Sequence, residues 1–309
     1  MNDIHRKVTH ALNYLFHNRA QLCDSMVRTL GGWLPDKLYL SLRFRCRMGY
    51  WPNFKEPRTF NEKINWLKLY NRKPEYTKMV DKYAVKDYVA AKIGNEYIIP
   101  TIGVWETPEL IDWDRLPNQF VLKTTHGGGG GGVVICRNKQ LFDREEAIRK
   151  LSASLKNDIY CSFREWPYKN VRKQIIAEKY VEPPFSMELK DYKFFCFNGK
   201  VRCFKIDIGR FTEHHANYYS PKGKLLFFGE VSCSPQYNNE EILPPNLSEM
   251  ISLAEKLSEG IPFIRVDFYN VERRIYFGEL TFFPAAGMGK FTDDNWDIKL
   301  GNLLKLPKG

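Results

Sequence analysis

Six consecutive glycines, Gly127, Gly128, Gly129, Gly130, Gly131 and Gly132, stand between "FVLKTTH" and "VVIC". Each glycine held in a folded segment costs about 0.5–1 kcal/mol of backbone entropy relative to alanine. Apolar and β-branched runs abut both ends, which predicts a hairpin with a bare-backbone turn. A flexible linker would be mixed with serine and flanked by polar residues. Walker A and Rossmann loops run from a strand into a helix, and the former needs Gly-Lys-Ser/Thr. This loop runs strand to strand. With no Cβ in the way, its amides can come close to phosphate oxygens. Lys123, just upstream, places an ammonium beside the same oxygens.

A second stretch, "FIRVDFYNVERRIYFGELTFF", predicts a hairpin turning near Asn270–Arg274. If its strands pair, Asp267 and Glu279 can converge on one face, and hard oxygen ligands so placed suit Mg²⁺. Arg265 shares the face of Asp267 by strand alternation. Between the two hairpins, "IIAEKYVE" leads an apolar run into Glu178-Lys179-Tyr180-Val181, a pattern suited to an adenine slot, and "DYKFFCFNGK" sets Asp191 and Lys193 on alternate positions. "KIDIGRFTEHHANYYS" offers Lys205, Asp207, Arg210 and His214 for substrate recognition, or else a polar surface loop. The His214-His215 pair reads as a loop feature rather than a metal site. "REWPYKN" gives no role beyond a packed aromatic corner.

The remaining sequence supplies a frame for these elements. At 309 residues, 43% hydrophobic and 15% aromatic, the chain can bury a sizeable core. The net charge of +11 suits nucleic acid, an anionic membrane surface or phosphate-bearing substrates. The lack of an RNP-like motif, zinc finger or basic block argues against nucleic acid. No apolar run is long enough to span a bilayer, and the start lacks the apolar stretch of a secretory signal. The expected location is therefore cytoplasmic, with a peripheral contact at the inner membrane face open. Seven scattered cysteines without C-x-x-C predict reduced thiols. Ile4, Val8, Leu12, Leu15 and Phe16 predict an amphipathic first helix, and "LYLSLRFRCRMGY" a second. Thr59 with Glu62 forms a capping-box pattern, and "YTKMVDKYAVKDYVAAKIG" reads as one further helix closed by Gly94. From about residue 97, strand-like runs alternate with turns. The fold class is α+β, with a helical region over 1–95, the glycine loop in 96–180 and the acidic pair in 181–309.

The ordered set "DK", "FVLK" plus glycines, "AEKYV", "DYK", "RVD" and "E-L-T" resembles the ATP-grasp superfamily. "TFNEKINWLKLY", "YTKMVDKYAVKDYV", "REWPYKN", "DYKFFCFNGK" and "FGEL" resemble more closely its TupA-like branch, associated with teichuronopeptide and surface-polysaccharide biosynthesis and often labelled glycosyltransferase. The likeness runs from about Leu38 to Leu304. It implies two α+β subdomains clasping ATP, with Lys82 and Lys123 on the phosphates and His126 with the six glycines as a lid. Glu178, Lys179, Tyr180 and Val181 would hold adenine, Asp191 or Glu182 the ribose, and Lys193 would lie near the phosphates. Asp267, Glu279 and Thr281 would bind Mg²⁺, and Arg265 would stabilise the reacting intermediate. Two departures stand out: Thr281 replaces the usual asparagine, and the first 80 residues look helical rather than Rossmann-like. The implied activity is ATP-dependent ligation of a carboxylate, on a small molecule or glycan, to an amine or amino acid through an acyl phosphate. Alternatives are a glycan kinase, a glycosyltransferase or a scaffold without turnover.

Overall fold

The computed structural model describes residues 19–128, 131–182, 189–209, 214–237 and 243–308; the first helix predicted from Ile4 to Phe16, Gly129, Gly130 and Arg210 lie outside them. Residues 19–30 form helix α1 and Asp36–Met48 form α2. Two antiparallel sheets follow. The first has order β1-β4-β2-β3, built from β1 (Thr101–Trp105), β2 (Phe120–Thr124), β3 (Val133–Cys136) and β4 (Ile175–Lys179). The second has order β10-β9-β5-β6-β7-β8. Its strands are β5 (Asp191–Phe197), β6 (Lys200–Ile208), β7 (His215–Tyr219), β8 (Leu225–Leu226), β9 (Phe263–Val271) and β10 (Arg274–Thr281). The α+β class read from the sequence holds.

Alternation in "FVLKT" sets the two faces of the first sheet. Phe120 and Leu122 are buried with Leu151 of α6 (Arg144–Lys156), while Val121 and Lys123 face the other way. In the second sheet, β5 is buried at all seven positions. Met250, Leu253, Ala254 and Leu257, at helical spacing on α8 (Leu247–Leu257), belong to the core that covers one face. On the other face Phe197 and Phe263 meet Phe60 of α3 (Phe60–Tyr70) at 5.8 and 5.0 Å between ring centroids. Burying each such side chain contributes about 1.5–3 kcal/mol.

Helix α3 starts where the sequence says. Thr59 accepts from the Glu62 amide and Glu62 accepts from the Thr59 amide, a complete capping box. The predicted single helix after it is instead two, α4 (Glu75–Val80) and α5 (Val85–Ile93). The break has a local cause: the Asp81 carboxylate accepts from the amides of Tyr83 and Ala84, which starts a new turn and leaves Lys82 between the helices. The expectation of reduced thiols also fails at one place, since Cys23 of α1 and Cys46 of α2 form a disulfide, with Cα atoms 6.0 Å apart.

"REWPYKN" turns out to be a clamp. Arg164, left-handed at φ 53° after α7 (Ile159–Phe163), lays its guanidinium 4.1 Å from the Tyr39 ring centroid. It also pairs with Asp36 at 3.2 Å and donates to the Gly32 carbonyl at 2.8 Å. The helical front is thereby fixed to the segment joining α6 to β4.

Helix α9 (Asn295–Leu303) lies against the start of α3, and a Cβ on Gly301 would land on the backbone of Arg58–Phe60. Gly301→Ala is therefore expected to destabilise the fold by about 1–3 kcal/mol through overpacking. Urea unfolding of wild type and variant checks this, and equal midpoints would contradict it.

Candidate active site

The carboxylate pair depends on one extra residue in β10. From the turn at Glu272–Arg273, the strands pair Arg274 with Val271 through Phe277 with Phe268. Continued unchanged, that register would set Gly278 opposite Asp267 and point Glu279 to the far face. A bulge at Gly278 shifts it, so Glu279 pairs with Asp267 and Thr281 with Arg265. Arg265 then donates to both Asp267 oxygens at 2.7 and 2.6 Å, and its Nη2 also reaches Glu279 Oε1 and Thr281 Oγ1, each at 3.0 Å.

The rung continues across the sheet. Asp267 pairs with Lys193 on β5, Lys193 with Lys205 on β6, and Lys205 with Tyr218 on β7. Lys193 bonds Asp191 and Asp207 on the next rung. Lys205 reaches Glu230 at 3.0 Å, and Tyr218 donates to the same carboxylate at 2.6 Å. Lys82 closes the other end, 3.4 Å from Glu279 Oε2. Among the described residues of this cluster, five carboxylates (Asp191, Asp207, Glu230, Asp267, Glu279) meet four cations (Lys82, Lys193, Lys205, Arg265). One negative charge is left over. Burial first, then Asp191 and Glu279, push Asp267 upward against Arg265 and Lys193. Burial also works to raise Glu279, but Lys82, Arg265 and Lys193 outweigh it and hold that carboxyl at about 2. An all-oxygen set of Asp267, Glu279 and Thr281 with an unbalanced carboxylate fits a hard divalent cation.

The facing wall has the opposite bias. On β4, Glu178 is buried and bridges two lysines, Lys123 of β2 at 2.5 Å and Lys86 of α5 at 2.6 Å. Two ammonium groups share one carboxylate, so this wall carries a spare positive charge. Lys82 links the walls: its amide donates to the Thr125 carbonyl at 2.9 Å and its ammonium to the Gly127 carbonyl at 2.6 Å. His126 is buried, with Nε2 3.2 Å from the Ser154 carbonyl. Gly127 and Gly132 pack so tightly on Thr124 and Ser154 that a Cβ at either would collide.

The remaining predicted positions lie along β4, β5 and β6 and in the segments that follow them. The Glu178 side chain pairs with Lys86 and Lys123, and the Lys179 amide donates to the Pro100 carbonyl at 3.0 Å. Tyr180 accepts from Arg137, Val181 is half-buried and Glu182 is exposed. Asp191 sits in a strand buried at every residue and pairs with Lys193. Lys205 and Asp207 lie on β6 inside the cluster, not on a surface loop. His214 is 42% exposed, 3.8 Å from Asp207 Oδ1, and with Cys233 makes a small group of donor atoms within 4.8 Å.

The sequence reading missed Lys86, Glu230 and the polar stripe of α3. Asn61, Asn65 and Lys68 recur at helical spacing and are buried. They donate to the carbonyls of Gly289, Gly287 and Ala286. That segment follows β10 directly and includes Ala285 and Ala286 at φ 49° and 54°, a left-handed backbone that needs such support. The stripe thus anchors the end of the strand that carries Glu279 and Thr281.

Asp207 gives the cluster a measurable pH signature. Burial favours its neutral form, but Lys205 and Lys193 outweigh that and bring it to about 2 from 3.8. A depressed carboxyl stabilises the fold above its unfolded value, here by about 2 kcal/mol, and loses that contribution as pH falls through its folded value. Asp207→Asn is therefore expected to be less stable than wild type near pH 6, with the gap closing toward pH 2. Urea unfolding across that range measures it, and a gap independent of pH would contradict the pairing.

A TupA-like ATP-grasp family model matches residues 62–305. No curated protein matches the chain. Among solved structures it is similar to D-alanine–D-alanine ligase from Helicobacter pylori, at 17% identity and TM-score 0.42 over 80% of this chain and 69% of that one. It is also similar to an ADP complex of N5-carboxyaminoimidazole ribonucleotide synthetase, at 17% identity and TM-score 0.45 over 72% and 50%. A third is D-alanine–D-alanine ligase from Bacillus anthracis complexed with ATP, at 16% identity and TM-score 0.38 over 66% and 53%. The chain spans about half the length of these last two. With most of its length matched and its hairpins, glycine loop and acidic pair in family order, the chain belongs to the TupA-like branch of the ATP-grasp superfamily.

Proposed function

We propose that the protein is an ATP-dependent, ADP-forming ligase that activates a carboxylate as an acyl phosphate and passes it to an amine or similar nucleophile. The observation that carries this is the pairing of opposite walls: a lysine-rich strand face beside bare glycine backbone, and a carboxylate-rich hairpin face, joined through Lys82. A magnesium triphosphate has the matching charge on each side. Lys123, Lys86 and Lys82 hold phosphate oxygens, and Gly128, Gly131 and Gly132 bring amides close to them. Val181 and the backbone around Lys179 to Glu182 flank the base and ribose. Asp267, Glu279 and Thr281 would hold Mg²⁺, which supplies charge neutralisation at the transferring phosphoryl group.

The chemistry asked of the protein is positioning and charge cancellation. A substrate carboxylate oxygen forms a bond to the terminal phosphorus as the bond to ADP breaks. The nucleophile then adds to the acyl carbon and phosphate leaves. Arg265 already touches Asp267, Glu279 and Thr281. It must release part of that contact when a cation enters, and the freed guanidinium then faces the negative charge of the acyl phosphate. Closure of the glycine hairpin keeps water from hydrolysing that intermediate. The substrates belong to surface-polysaccharide assembly, the reading that the TupA-like family supports.

Lys123→Ala leaves Glu178 its partner Lys86, so the fold should persist while ADP release falls by a factor on the order of 10²–10³. Coupled ADP-release assays with circular dichroism as the folding control check this. Wild-type turnover in the variant would refute the assignment, and ADP release that needs a neutral hydroxyl acceptor instead of a carboxylate would make the enzyme a kinase.

A further inference from the structure

Helix α1 meets the rest of the protein along one side. Ala20, Asp24 and Val27 are half-buried there, and Val27 packs against the Tyr39, Leu40 and Phe44 core. Asp24 accepts from the buried Arg43 at 2.6 and 2.9 Å, and the Cys23–Cys46 disulfide ties the same helix to α2. Another side carries large apolar side chains in water. Leu22, Met26 and Leu30, each one turn from the next, are 63%, 61% and 67% exposed, and Trp33, in the turn Gly31–Trp33 that follows, is 82% exposed. Single exposed leucines are ordinary on a protein surface, whereas a row of this kind marks a contact face.

The charges around that row have one sign. Arg19 lies one turn before Leu22 on the same face. Arg19, Arg28, Lys37, Arg45 and Arg47 of α1 and α2 are exposed and make no ion pair among the described residues. The acids of these two helices, Asp24 and Asp36, are both engaged: Asp24 with Arg43, and Asp36 with Arg72 at 2.6 Å and Arg164 at 3.2 Å. The helix pair therefore shows solvent five cations and no free carboxylate. In the sequence, Ile4, Val8, Leu12 and Leu15 keep the same helical spacing upstream, with Arg6 and Lys7 among them.

We propose that α1 docks on an anionic bilayer surface. Leu22, Met26, Leu30 and Trp33 enter the boundary between headgroups and acyl chains, and the arginines and Lys37 meet lipid phosphates. Apolar burial and headgroup attraction add in binding of this kind, and tryptophan favours that depth. A second copy of the chain would set five cations against five. Nucleic acid would take the cations and leave the apolar row in water. An anionic lipid surface satisfies both features at once. The disulfide and the Asp24–Arg43 pair already hold α1 against α2, so contact with lipid orders little more of the chain. The inference is independent of the ligase reading, since none of these residues belongs to the nucleotide site.

The test is co-sedimentation of the full chain with two kinds of vesicle, phosphatidylcholine alone and phosphatidylcholine with about one quarter phosphatidylglycerol, at low and high salt. Binding is expected to the anionic vesicles only and to weaken as salt screens the cations. Leu22→Ser, Met26→Ser and Leu30→Ser together should lower vesicle affinity on the order of a hundredfold. Arg19→Gln should lower it roughly fivefold. All of these side chains are exposed, so the urea midpoint of each variant should match wild type. No sedimentation with anionic vesicles, equal binding to neutral ones, or a triple variant that binds like wild type would overturn the proposal. A dimer seen by analytical ultracentrifugation in wild type and lost in the triple variant would assign the face to a second copy, and would overturn it too.

Discussion

The site depends on a single inserted residue. Gly278 bulges out of β10, and that one-residue shift places Glu279 beside Asp267 and Thr281 beside Arg265. Side chains alternate faces along a strand, so without the bulge Glu279 would lie on the opposite face with the core. Gly278 also lies close under its partner strand, where a Cβ would come within 3.1 Å of the Asp267 carbonyl. The carboxylate pair is thus a property of strand register as much as of residue identity.

From that pair the charges extend in order. Along one rung run Glu279, Asp267, Lys193 and Lys205, with Asp191, Asp207 and Glu230 around them. Buried ions are costly unless paired, and here each lysine has two carboxylate partners within reach. The surplus is one negative charge on this wall. Across the cleft Lys86 and Lys123 share Glu178, leaving a surplus of one positive charge. Such complementary residual charges suit a ligand carrying both a metal ion and phosphates. Lys82 spans the gap, and its position follows from the Asp81 cap that splits α4 from α5.

Much of this frame was legible in the chain. The glycine hairpin, the β9–β10 hairpin and the Thr59 capping box follow from local signals: strand runs around a turn, or a serine-type cap before an apolar run. What escaped was set by distant contacts. Nothing local shows that Lys86 and Lys123 converge on Glu178. The polar surface loop that Lys205 and Asp207 could have formed is instead a buried part of β6, because Lys193 and Glu230 pair with them across the sheet. Asn61, Asn65 and Lys68 hold the backbone after β10, partners 218 to 228 residues away that no local signal shows. The bulge at Gly278 had a faint signal, a glycine inside a strand pattern. Cys23 and Cys46 meet only because α1 folds against α2.

Anomalous diffraction from crystals grown with Mn²⁺ and a non-hydrolysable ATP analogue tests the central claim most directly. The expected result is a manganese peak shared by Asp267 and Glu279, the terminal phosphate beside Lys82 and Gly127, and Arg265 withdrawn from one carboxylate. A peak elsewhere, with Arg265 still bridging Asp267 and Glu279, would contradict it.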